Sequence, residues 1–341
     1  MIDSKILEKV DSQGIHKIYD MWPSIGKESY GADLVAIDFK NIKHIVFVGM
    51  GGSGALNDIF SAILSKTNIH VSVVKGYHLP NTVDFNTLVV STSVSGNTIE
   101  SLTVLDSATK TDCKTIAFSG GGEIERYCIK NKIEHRKIPI FHSPRASFPS
   151  FLFSMLKILE PIIPLKKEDI FQSIDMLKIT QKKISSQNLS LTNPSIDIAN
   201  WISGIPVIYY PWGLQSAAIR FKNSLQENAK MHVIAEDIME ACHNGIVAWE
   251  KRTEARPLLI RGQDDYIKTK ERWEIIKEYF DQKKIEYKEI FSVEGSILSK
   301  LINLIYLLDY STIYRAVLSG IDPSPVDSIN FVKNRTKKFS Y

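Results

Sequence analysis

The sequence predicts an α/β protein of two doubly wound parallel-sheet domains joined by a helical connector. Three observations predict it. Short runs rich in Val and Ile alternate with longer amphipathic segments, the pattern of strands and helices in a parallel sheet. The alternation occurs twice, separated by a stretch of helical character. Several of the short runs end in Gly or Ser, where a strand hands over to a helix.

Residues 1–40 read as an N-terminal helical segment. A first domain follows over 41–150, with strands expected at "HIVFVGM", "HVSVVKG", "TLVVSTS", "KTIAFSG" and "HRKIPI". "SPRASFPSFLF" opens the connector, 151–195. The second domain spans 196–341, with strands at "IPVIYYPW", "MHVIAED", "RPLLIRG" and "IEYKEIF". Between them, "GLQSAAIRFKNSLQENAK" and "DDYIKTKERWEIIKEYFDQ" carry a 3.6-residue period and read as helices. A long helix from Ser296 to Leu318 stops at Gly320, a C-cap glycine, and two prolines in "IDPSPV" break the chain before a last short helix. A ligand site is expected between the two units, at the carboxyl ends of the strands.

The 341 residues are enough for two domains of ordinary size, and 44% apolar with 23% charged residues is a globular composition. Apolar stretches such as "FLFSMLKILEPIIPL" are shorter than the roughly 20 residues of a membrane span, and no signal-peptide pattern opens the sequence. A cytoplasmic protein without membrane contact is expected. Cys113, Cys128 and Cys242 lie far apart with no C-x-x-C, and are expected to be buried small hydrophobes. The net charge of +4 is modest, and only "VKNRTKK" concentrates basic residues, so nucleic acid is not an expected partner. A small anionic substrate suits such a surface.

Two turns carry chemistry. In "HIVFVGMGGSGALNDIF", Gly49, Gly51 and Gly54 make a G-x-G-x-x-G, which suits either a dinucleotide pyrophosphate or a smaller phosphorylated ligand held by the amides and the Ser53 hydroxyl. A dinucleotide also wants an acid at the end of the second strand, and "HVSVVKGYH" offers only Lys75. In "STSVSGNTIES", serines and threonines crowd Gly96 and Asn97. Ser93, Ser95 and Thr98, with amides at a helix N-terminus, form a donor cup suited to a terminal phosphate. The alternative is an ordinary hydroxyl-rich turn with Asn97 or Thr98 as N-cap.

"GMGGSG" followed by "SVSGNTIES" resembles the sugar isomerase (SIS) domain, in which the S-x-S-G-N-T loop holds a sugar phosphate. With "PRASFP", "QENAK", "CHNGIVAWE" and "GIDPSPVDSI" in this order, the chain is similar to the bifunctional phosphoglucose/phosphomannose isomerases, a family of two tandem SIS domains. The resemblance covers about residues 41 to 333. It implies an isomerase interconverting glucose 6-phosphate, and mannose 6-phosphate, with fructose 6-phosphate through an enediol. It needs no cofactor or metal, and implies a homodimer.

Residue by residue, the resemblance makes Glu227 the base, where the residues alone would read a solvated helix face with an i, i+3 pair to Lys230. It makes His243 the ring-opening histidine, taken from the neighbouring subunit, and Lys333 the lysine that assists. Arg145 is the cation beside the reacting carbons, where the alternative is a helix-capping arginine. Gly52, Ser53, Ser93, Ser95 and Thr98 bind the phosphate, and Ser324 lines the C2 end. The sequence departs from the family at Gly245, where an acid is usual, and at Val94, where an aromatic residue is common. Rival readings are an isomerase of another sugar phosphate, a SIS sensor that binds without turnover, and a nicotinamide dehydrogenase.

Overall fold

The computed structural model describes residues 2–336. Three short helices open the chain: α1 (Ser4–Val10), α2 (Ile15–Asp20) and α3 (Trp22–Gly31). The first alternating unit runs β1 (His44–Val48), α4 (Gly51–Leu64), β2 (His70–Val74), β3 (Thr87–Ser93), α5 (Ile99–Ala108), β4 (Lys114–Ser119), α6 (Gly122–Asn131), β5 (Glu134–Lys137). Helices α7 (Phe148–Ile158), α8 (Lys167–Ile184) and α9 (Pro194–Trp201) connect it to the second. That unit runs β6 (Ile205–Tyr210), α10 (Gln215–Asn228), β7 (Ile234–Asp237), α11 (Ile238–Ala241), β8 (Ala255–Arg261), α12 (Ile267–Lys283), β9 (Lys288–Phe291). Helices α13 (Ile297–Leu318) and α14 (Asp327–Thr336) end the described chain.

Both sheets are wholly parallel, in the orders β2-β1-β3-β4-β5 and β7-β6-β8-β9. The second repeats the first without its last strand, so α10 stands to β6 as α4 stands to β1. Strands β1 and β3 are buried along their whole length, as central parallel strands covered by helices on both faces must be. The order reverses between β1 and β3, and the turns that follow these two strands meet at that switch point.

Helices α4 and α10 pack against each other, and α13 packs on α8, α9 and α10. The largest apolar cluster therefore runs without a break from Phe47 and Val90 of the first sheet to Ile208 and Leu258 of the second. Helix α13 is long and apolar enough to cross a membrane, contrary to the expectation that no stretch reaches that length. Of its most apolar window, 83% is buried inside the protein, where it serves as the central core helix. The N-terminal helices join this core through Trp22, which stacks on Tyr19 at 4.4 Å and Tyr306 at 5.2 Å. Its Nε1 donates to the Ala146 carbonyl at 3.0 Å, which braces the loop that carries Arg145.

Of the cysteines only Cys128 is buried; Cys113 and Cys242 are half-exposed, a correction to the expectation for all three.

Candidate functional site

The turn after β3 is shaped by one glycine. Gly96 has φ +69°, and a Cβ there would fall 1.7 Å from the Gly121 carbonyl oxygen, so no other residue fits without moving the backbone. This lets the loop fold back closely on the turn before α6. Ser93 and Thr98 share a hydrogen bond of 2.8 Å, and the Ser53 hydroxyl accepts from the Val94 amide at 3.2 Å, which joins the two turns. Thr98 occupies the N-cap position of α5, yet its side chain makes no cap bond. Its hydroxyl is turned toward Ser93 instead, so the plain capping role does not describe it. Ser95 is half-exposed, with its Oγ only 3.4 Å from the Asn97 amide. The Ser53–Val94 bond thus sets Gly52 and Ser53 beside the turn that carries Ser93, Ser95 and Thr98.

Lys75 has its ammonium 2.6 Å from Asp58, a partner within the protein. The strand end that a dinucleotide would need therefore offers neither an acid nor an unpaired cation.

Arg145 and Glu227 stand 82 residues apart in sequence and meet at 3.3 Å, Nη1 to Oε2. Arg145 is 4% exposed. Its Nε donates to Asn228 at 2.7 Å, and its Nη2 donates to the carbonyls of Pro323 at 2.7 Å and Ser324 at 2.9 Å. A guanidinium fork held at every edge is fixed in direction. The Arg145 side chain caps no helix. The Glu227 carboxylate is not paired with Lys230 either: the lysine donates to the backbone carbonyls of Glu227 and Pro325. Burial, and then the Arg145 charge, hold the Lys230 ammonium below its usual range against Asp322, Glu227 and Asp327. With its side chain 27% exposed, Glu227 sits at the C-terminal end of α10 and stays open to a ligand.

Ser324 lies against Arg145 through its carbonyl, with its hydroxyl 3.5 Å from His142 Nε2. His243 follows α11 and is exposed, and Lys333 is exposed on α14. Among the described residues, neither is bonded to Arg145 or Glu227. At Gly245 a Cβ would lie 2.4 Å from Oε2 of Glu236, whose carboxylate fills the space beside it. No group of three or more His, Cys, Asp or Glu is placed to hold a metal ion among the described residues.

Sequence reading missed Arg220, Asp309, Asn228 and His142. Arg220 had a readable signal, because it precedes Glu227 by seven residues, two helical turns on one face. Its Nε and Nη2 donate to Asp309 at 2.9 and 2.7 Å, and Nη2 also donates to the Arg145 carbonyl at 2.7 Å. Burial opposes its charge, but Asp309, with Tyr19 and Glu227, more than offsets this and holds it above the ordinary arginine range. Asp309, 89 residues away, had no local signal.

A family model of the bacterial phospho-glucose isomerase C-terminal SIS domain matches residues 191–336. The bifunctional phosphoglucose/phosphomannose isomerase of Caldicellulosiruptor bescii is 29% identical over 335 residues, 94% of this chain and 95% of the relative. That of Aquifex aeolicus is 30% identical over 311 residues, 89% of this chain and 93% of the relative. In fold, the chain is similar to a hypothetical protein from Thermus thermophilus, at TM-score 0.74 and 12% identity over 98% of this chain and 94% of that one. Identity of 30% across almost the whole of a relative means that this chain belongs to the bifunctional phosphoglucose/phosphomannose isomerase family.

Proposed function

We propose that the protein interconverts glucose 6-phosphate and mannose 6-phosphate with fructose 6-phosphate through an enediol, with Glu227 as base. The observation that carries this is the Arg145–Glu227 pair at 3.3 Å, a partly open carboxylate against a fixed cation. The phosphate turn is its neighbour: the point where a Gly52 Cβ would stand is 3.9 Å from the Pro144 carbonyl oxygen, one residue from Arg145.

In this reading Ser53, Ser93, Ser95 and Thr98, with the Gly52 turn, hold the phosphate. The open-chain aldose then lies toward Glu227, with Ser324 at the C2 end. The carboxylate removes the C2 proton, the C2–H electrons form the C1–C2 double bond, and negative charge develops on O1 beside Arg145. The O2–H proton passes to O1, and return of the first proton to C1 as the O2 electrons close the C2 carbonyl gives the ketose. A positioned base of this kind contributes ~10²–10⁴-fold.

Ring opening falls to His243 and Lys333. Both are exposed, and neither is bonded to Arg145 or Glu227 among the described residues, which is compatible with a homodimer in which a second copy supplies the histidine. The test is a coupled assay of each aldose phosphate with EDTA present. Turnover of both is expected, and turnover of neither contradicts the proposal.

A further inference from the structure

Arg220 sits between the phosphate turn and the reacting end of the site, and one of its edges is uncommitted. The side chain is 2% exposed, and its guanidinium lies 4.3 Å over the Phe148 ring. Asp309 pins Nε and Nη2 while itself accepting from Ser224 at 2.7 Å and Tyr19 at 3.2 Å. The second bond of Nη2 goes to the Arg145 carbonyl. The guanidinium is therefore fixed along its Nε–Nη2 edge and stacked on one face.

Nη1 is different. It has no hydrogen-bond partner among the described residues, yet it is not one of the sealed, unpartnered polar atoms of the interior. It keeps an opening. That opening faces the phosphate turn, because Nη1 is the atom nearest the point where a Cβ at Gly52 would stand, at 3.5 Å. Gly52 is not held in a left-handed conformation, so its backbone does not demand glycine. What the missing side chain leaves is a clear line between the turn and two N–H donors of a buried cation. A buried guanidinium edge without a partner is costly, and an anionic oxygen is the group that best relieves it.

We propose that Arg220 is a substrate-binding residue whose Nη1 donates to an anionic oxygen of the phosphate monoester seated on the Gly52 turn. This rests on the sugar-phosphate reading of the site. Through Nη2 and the Arg145 carbonyl, the same guanidinium sets the distance between the phosphate and the Arg145–Glu227 pair. Asp309 is the positioning residue behind it.

The probe is inorganic phosphate, titrated calorimetrically into the full-length protein. Arg220→Lys keeps the charge, but its single head cannot satisfy Asp309 and reach the turn together. The phosphate Kd should rise about tenfold or more, the scale of one charge-assisted hydrogen bond. Gly52→Ala interposes a methyl at ordinary contact distance from Nη1 and should weaken phosphate as well. The double variant should bind no worse than the weaker single one, since both act on one contact.

An unchanged Kd in Arg220→Lys overturns the proposal, and so do losses that multiply in the double variant. Should Arg220→Lys fail to fold by circular dichroism, Gly52→Ala decides, and an unchanged Kd there overturns it. Wild-type protein that binds no phosphate overturns the sugar-phosphate reading itself. Binding by the wild type with no effect of Arg220→Lys overturns only the role of Arg220.

Discussion

At the scale of single residues, local chemistry separates what sequence reveals from what it hides. Ser93, Ser95 and Thr98 stood out as candidates because hydroxyls beyond those a cap needs are an unusual local pattern, whereas the positive φ that fixes glycine at 96 became plain only in the structure. Arg145 and Glu227 needed the family pattern, since each alone reads as a surface or capping residue. The partners that fix Arg145 come from α10 and from residues 323–324, which no short window contains. The phosphate role has a direct check: Ser95→Ala or Thr98→Ala should raise KM for fructose 6-phosphate about tenfold or more, the effect of roughly 1.5–3 kcal/mol for a hydrogen bond to a charged group. The thermal midpoint should hold in Ser95→Ala, whose half-exposed hydroxyl makes only the 3.4 Å contact with the Asn97 amide, whereas Thr98→Ala also removes the 2.8 Å partner of the buried Ser93 hydroxyl and should lower it. An unchanged KM in both variants would refute the cup.

Elements were legible in order and type but not in length. "MHVIAED" suggested a full strand, whereas only Ile234–Asp237 pairs with β6, because Lys230 leaves α10 at φ +57° and the next residues serve as a connection. The N-terminal segment read as helical, but its tertiary lock did not show. The Asp11 carboxylate accepts from the amides of Ile15 at 3.1 Å and His16 at 2.8 Å and from His16 Nδ1 at 2.6 Å, tying α1 to α2. Burial raises the Asp11 pKa, but these His16 and Ile15 bonds outweigh it and hold it below the ordinary 3.8. A depressed carboxylate contributes stability that is complete above its unfolded value and lost as pH falls through the folded one. Asp11→Asn should therefore cost about 1–3 kcal/mol in urea melts at neutral pH. The gap should persist down to the ordinary 3.8 and close only below it. A gap that stays constant in acid would show that the ionised form is not what stabilises this junction.

At the scale of the whole molecule, sequence predicted two similar α/β units, and the structure adds that one apolar core runs through both. That continuity arises where α4, α10 and α13 pack together, a tertiary fact that periodicity does not carry. It sets α4, whose first turn carries Gly52 and Ser53, against α10, while His243 and Lys333 stay exposed. Mixing inactive His243→Ala with inactive Glu227→Gln chains should then recover part of the activity, since each supplies what the other lacks. No recovery after verified subunit exchange would mean that one chain builds the whole site. The central claim, proton transfer at C2 by Glu227, is tested most directly by following the C2 hydrogen of glucose 6-phosphate in deuterated water by NMR. The wild type should exchange it, and Glu227→Gln should slow exchange by at least ~10²-fold while still binding the sugar phosphate. Exchange in Glu227→Gln at the wild-type rate would contradict the account.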